Sequence, residues 1–153
     1  MDKTEVLEHL RSAKTAHIKW VQRAKLLING FEIQKEAIPV DSTECKFGQW
    51  FYSDAQRLNA LSNNPMECMA QIEGLHFKLH DTYLQIYKIY FQTEKQGFFA
   101  KFFKPKKISE LEHEKAERLY EEMENISKQL LDEINRLERR LIAIPEEKLA
   151  ALS

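Results

Sequence analysis

The sequence predicts an all-α protein: a helical, four-helix-like bundle with a long C-terminal helix. Three observations carry that prediction. Only four Gly and four Pro occur in 153 residues, too few for an architecture of strands and tight turns. Charged residues make up 31% and hydrophobic ones 43%, a balance that suits helices with one packed side and one wet side. Apolar residues recur at steps of three and four along most of the chain rather than alternating. The length allows one domain with a substantial core, or a smaller domain with an extension.

The same composition narrows the function. The 23 basic and 24 acidic residues nearly cancel, so no basic stripe draws the chain to nucleic acid. No apolar run approaches the roughly 20 residues of a membrane span. The N-terminus, MDKTEVLEHLRSAKTAHIKW, alternates charge and apolar residues and lacks a secretory apolar core, so a cytoplasmic location is expected. In a reducing compartment Cys45 and Cys68 are candidates for a metal ligand, a reactive thiol or a core filler rather than a disulfide.

The first helix is expected over about 4–29, with Val6, Leu10, Ala13, His17 or Ile18, Val21, Ala24, Leu27 and Ile28 on its inner face and Asn29-Gly30 as the stop. The segment through Pro39, Asp41, Ser42 and Thr43 reads as a connector that positions Cys45. Residues 45–62 read as one helix with Phe47, Trp50 and Phe51 inward; Gly48 within it costs about 1 kcal/mol relative to Ala and marks a close approach. Asn63-Asn64-Pro65 break and restart the chain into a long helix over about 65–96. Its buried side is Met69, Ile72, Leu75 or His76, Leu79 or His80, Tyr83, Ile86, Tyr87 and Tyr90.

The stretch GFFAKFFKPKK then interrupts the pattern, which places a helical bundle domain at 1–97, a connector at 98–107 and a long helix at 108–153. That last helix carries Leu119, Met123, Ile126, Leu130, Ile134, Leu137 and Leu141 in a seam that seeks a helical partner, within the bundle or as a coiled coil. The residues after Pro145 read as a loose tail or a last turn.

Four residues carry chemistry. His76 and His80, four apart on one helix, project from the same face one turn from each other. His17 lies on the inner face of the first helix beside Trp20, and Cys45 opens a separate aromatic-rich segment. Three imidazoles and one thiolate from three elements form the nitrogen and sulfur donor set that zinc prefers. A di-iron bundle would pair Glu-x-x-His motifs supplemented by bridging carboxylates on facing helices; Glu73 with His76 has that spacing, but three imidazoles and a thiolate suit zinc better.

In order, type and spacing, His17-Ile18-Lys19-Trp20, Cys45-Lys46-Phe47-Gly48-Gln49-Trp50 and His76-Phe77-Lys78-Leu79-His80 resemble the signature of the chemoreceptor zinc-binding domain over roughly residues 10–95. The resemblance implies a helical bundle, commonly a homodimer, that holds Zn2+ through His17, Cys45, His76 and His80. It also implies a signalling role beside a partner such as a chemoreceptor or a cyclic-dinucleotide enzyme. It further implies a response to zinc availability or to hypochlorous acid, with Cys45 as the redox switch, since a zinc-bound cysteine is held as its reactive thiolate. With four protein donors no position is left for an activated water, so catalysis is not expected. The alternative reading is a scaffolding bundle with zinc as a folding staple.

The remaining candidates have plainer readings. Tyr83, Tyr87, Tyr90 and the tryptophans are core aromatics, Cys68 is a buried small hydrophobe, and His9 and His113 are solvated helix-face residues. Lys101, Lys104, Lys106 and Lys107 among the phenylalanines belong to an amphipathic linker.

Overall fold

The structure, a computed structural model, describes residues 1–31, 41–62, 65–91 and 107–152. It is all-helical, with no strand among the described residues. Three long helices, α1 (Lys3–Ile28), α3 (Met66–Tyr90) and α4 (Glu110–Ile142), form the frame. The short α2 (Lys46–Phe51), a 3-10 helix (Asp54–Ala60) and the terminal α5 (Glu146–Ala150) complete it.

Each long helix ends where its local chemistry dictates. Asp2 caps α1 by accepting from the Glu5 N–H at 2.9 Å. At the other end Gly30 takes φ 84°, so Gly30 N–H reaches the Leu27 carbonyl and Phe31 N–H the Leu26 carbonyl, the paired bonds of a Schellman stop. Helix α4 begins with a capping box in which Glu112 N–H donates to Ser109 Oγ and Ser109 N–H to Glu112 Oε1, both at 3.2 Å.

Helix α3 is the central element. Along one side it packs on α4, whose Leu119, Met123, Ile126, Leu130, Ile134, Leu137 and Leu141 are all buried. Helix α4 also lies along α1, so its seam is filled within the chain. These residues share one core with Leu10, Leu27, Ile72, Tyr83 and Ile86. Leu149 of α5 is buried too, which gives the tail a seat. No helix among the described residues is long and apolar enough to cross a membrane.

Two sequence expectations need correction. Residues 45–62 do not form one helix: α2 ends at Phe51 and the chain turns before the 3-10 segment. Ser53 is the cause. Its Oγ donates to the Gln49 carbonyl at 2.6 Å and to that of Trp50 at 3.3 Å, and its backbone sits at φ −115°, ψ −97°, off the helical region. The second correction concerns α3, which leaves helical geometry at Phe91 (φ −121°, ψ 115°). The expected continuation to 96 and the connector at 98–107, apart from Lys107, lie outside the described residues.

Polar contacts fix α1 against α4. Lys3 Nζ donates to the Ile142 and Ile144 carbonyls at 2.7 and 2.6 Å, placing a cation at the negative end of α4. Glu138 accepts from Lys14 at 2.6 Å and from Arg11 at 2.8 Å. The Lys14 hydrogen bond is the main cause holding the Glu138 carboxyl below its ordinary value; partial burial opposes it and Arg11 adds to it. A depressed carboxyl stabilises the fold above its unfolded value and loses that contribution as pH falls through the folded one. Glu138→Gln is therefore expected to lower unfolding free energy by about 1 kcal/mol near pH 7. The gap to wild type should shrink in urea melts as pH drops below about 4.5.

Candidate metal centre

One donor atom each from His17, Cys45, His76 and His80 lies within 4.8 Å of every other. The three imidazoles are at most 3% exposed, and Cys45 is half-buried. His80 Nε2 stands 3.1 Å from His76 Nε2, which stands 3.3 Å from Cys45 Sγ. A tetrahedron with bonds of about 2.0 Å to nitrogen and 2.3 Å to sulfur has edges of about 3.3–3.6 Å. The spacing suits one ion at the centre. No carboxylate belongs to the cluster.

Each donor is oriented by its own element. His17 comes from the buried face of α1, where Nδ1 lies 2.6 Å from the Ala13 carbonyl. A carbonyl only accepts, so Nδ1 carries the proton and Nε2 presents its lone pair inward. His17, not Ile18, faces inward; Ile18 is 43% exposed. His76 and His80 come from successive turns of α3, as the four-residue spacing predicts, and both are buried while Leu75 is only half-buried. Rings enclose them: Trp20 lies over His80 at 3.9 Å between centroids, and Phe47 meets His17 and His76 edge-on at 5.6 and 5.1 Å.

Cys45 is placed by the turn before α2. Asp41 Oδ1 accepts from Thr43 N–H and Oγ1–H, both at 2.8 Å, which folds residues 41–44. Cys45 then takes an extended conformation and caps α2, its Sγ accepting from Gly48 N–H at 3.2 Å. Gly48 is where the close approach occurs. A Cβ there would overlap the Ser42 carbonyl oxygen and stand 2.9 Å from its carbon. The glycine allows α2 to sit directly on the turn that carries the thiol.

Burial governs the electrostatics. It pushes the Cys45 thiol up from its ordinary value, opposed by the Gly48 and Phe47 N–H groups. It pushes His17 down, opposed by the Ala13 carbonyl. His76 goes down to about 2, through burial first and then through His17 and His80. Imidazoles that stay neutral are in their metal-binding form, and a thiol in this setting reaches the thiolate with help from a cation. His76 Nδ1 is buried without a hydrogen-bond partner.

Other sequence candidates fall elsewhere. Cys68 is fully buried in the core, away from the cluster. Glu73 is exposed and is not among the clustered donors. His113 is on the surface and meets Glu117 at 3.2 Å. His9 was expected to be merely solvated, but its ring stacks on Trp50 at 4.7 Å with planes 9° apart. That contact ties the first turns of α1 to α2, and no local spacing in the sequence announces it.

The fold and the cluster define an all-α domain with three imidazoles and a thiol positioned to hold a metal ion. Residues 17–87 match the family model of the chemoreceptor zinc-binding domain. The match opens on His17 and covers all four clustered donors. Neither the curated proteins nor the solved structures gave a match to the chain.

The packing of Gly48 makes a sharp prediction. In an ordinary helix Gly→Ala gains up to about 1 kcal/mol. Here the overlap with Ser42 reverses the sign, and Gly48→Ala is expected to destabilise by about 1–3 kcal/mol. Because the displaced turn carries Cys45, the variant should also retain less metal than Gly74→Ala, whose Cβ meets nothing within 4 Å. Thermal melts and metal content of the two variants, side by side, check both points.

Proposed function

We propose that this protein is a zinc-binding signalling module in which His17, Cys45, His76 and His80 hold one Zn2+. The observation that carries the reading is the convergence of four donor atoms within 4.8 Å. Three neutral imidazoles and a thiolate leave a bound Zn2+ with a net charge of one, far easier to bury than the bare ion. With four protein donors the ion lacks an open position for water or substrate, so the site serves structure and sensing rather than catalysis.

The signal enters through zinc availability or through Cys45. Hypochlorous acid would convert the bound thiolate to a sulfenic acid and release chloride, RS− + HOCl → RSOH + Cl−, with sulfur losing two electrons to chlorine. The product is a poorer ligand. Cys45 is also the N-cap of α2, so its release from the metal frees the start of that helix and its turn, a local change able to reach a partner. The signalling role, a cytoplasmic location, a homodimeric state and a chemoreceptor or cyclic-dinucleotide enzyme as partner belong to the same reading.

A second reading, zinc as a folding staple in a scaffolding bundle, is favoured by one observation. Helices α1 and α3 touch each other sparingly compared with the contact each makes to α4. The cluster lies where α1 and α3 meet, and an ion there would hold them together.

Elemental analysis before and after one equivalent of hypochlorous acid, with far-ultraviolet circular dichroism on the same samples, separates the two. The sensing reading expects about one zinc per chain, lost on oxidation with most helical signal retained. It also expects zinc affinity to fall at least a hundredfold in Cys45→Ala. Loss of helix together with zinc favours the staple. Zinc that stays bound after Cys45 is oxidised contradicts the redox switch.

A further inference from the structure

Beside the donor cluster, a cleft of about 480 Å3 opens along α1 and the start of α2. That volume falls in the range of small-molecule sites, about 300–1,000 Å3. Its deeper lining is Ala13, Trp20 and Phe47 with His17, all buried, and the half-buried Cys45; its exposed rim carries His9, Ser12, Ala16 and Lys46. Ala13 and Ala16 keep the α1 wall low, while the Trp20 and Phe47 rings give it apolar surfaces. Apart from His17 and Cys45, which belong to the donor cluster, the polar lining residues are gathered at the mouth.

The charge at that mouth has one sign. No Asp or Glu lines the cleft, and Lys46 makes no ion pair among the described residues. Nine residues line the cleft, against the roughly 20–30 per side that a stable protein interface uses. The concavity is thus scaled to a small molecule rather than to a second copy of the chain. We propose that this cleft binds a small organic carboxylate, its apolar body against Ala16, Trp20 and Phe47 and its anionic end at Lys46, with Ser12 Oγ donating a hydrogen bond. His17 and Cys45 of the donor cluster line the cleft as well, so metal content is held as a control in the test.

The test uses the full chain, with metal content recorded for every sample. Anilinonaphthalene sulfonate, an anionic apolar probe, is titrated by fluorescence and then displaced by octanoate or by 1-octanol. Saturable binding of about one probe per chain is expected, with octanoate displacing it at least fivefold more tightly than the uncharged alcohol. Ala16→Phe, on the exposed rim, should weaken probe binding at least tenfold at unchanged helical signal and metal content. Lys46→Gln should bring octanoate to within twofold of the alcohol. If Ala16→Phe loses helical signal, Ser12→Trp serves as the second filling variant with the same expectation. Binding unchanged in the filled variants, or octanoate no tighter than octanol in wild type, overturns the proposal. So does a wild-type dimer that binds no probe and that Ala16→Phe converts to a monomer, because the occupant is then a second copy.

Discussion

Everything distinctive about this fold follows from bringing three imidazoles and a thiol out of water to one point. Polar side chains at that depth are costly unless something answers their lone pairs. The protein answers some of them itself: the Ala13 carbonyl accepts from His17 Nδ1–H and the Gly48 N–H donates to Cys45 Sγ. Inside the cluster His80 Nε2 and His76 Nε2 face each other at 3.1 Å. At that distance one imidazole N–H can donate to the other ring, whereas a cation at the centre would engage all four donor atoms at once. The aromatic enclosure by Trp20 and Phe47 fits the same purpose, because it excludes water from three imidazoles that must remain neutral.

The cluster also explains why the small elements are as they are. A six-residue helix such as α2 has little stability of its own. It is held by Cys45 at its N-cap, by Gly48 seated on the Ser42 carbonyl, by Trp50 stacked on His9, and by Ser53 closing its last turn. The long helices are independent of it to a large extent. Helix α3 has α4 along one side, and α4 is fastened to α1 by Lys3, Lys14 and Glu138. A rigid frame therefore carries three of the donors, and a small, locally stabilised element carries the fourth. In the proposed switch, that division lets a change at Cys45 move α2 without dismantling the frame.

Much of this was readable in the sequence. The 3.6-residue rhythm and the Asn29-Gly30 stop outlined α1, the seam from Leu119 to Leu141 outlined α4, and the four-residue step from His76 to His80 placed two donors on one face. The connector's Asp41, Ser42 and Thr43 pointed to the turn that positions Cys45. What sequence could not decide were matters of competition and distance. Whether residues 45–62 continue as a helix turned on the Ser53 hydroxyl taking two backbone carbonyls, which periodicity does not register. The α4 seam requires a helical partner but is silent on whose, and the packing onto α3 and α1 supplies it. His9 shows no periodic link to Trp50, and their stacking exists only once α1 and α2 meet.

The most direct measurement is zinc-edge X-ray absorption on the purified, unchelated chain. Three nitrogen neighbours near 2.0 Å, with the multiple-scattering pattern of imidazole, and one sulfur near 2.3 Å are the expected shell. The sulfur contribution should vanish in Cys45→Ser. A shell made only of nitrogen and oxygen in wild type, or protein that contains no zinc, would contradict the assignment of His17, Cys45, His76 and His80 as the ligands.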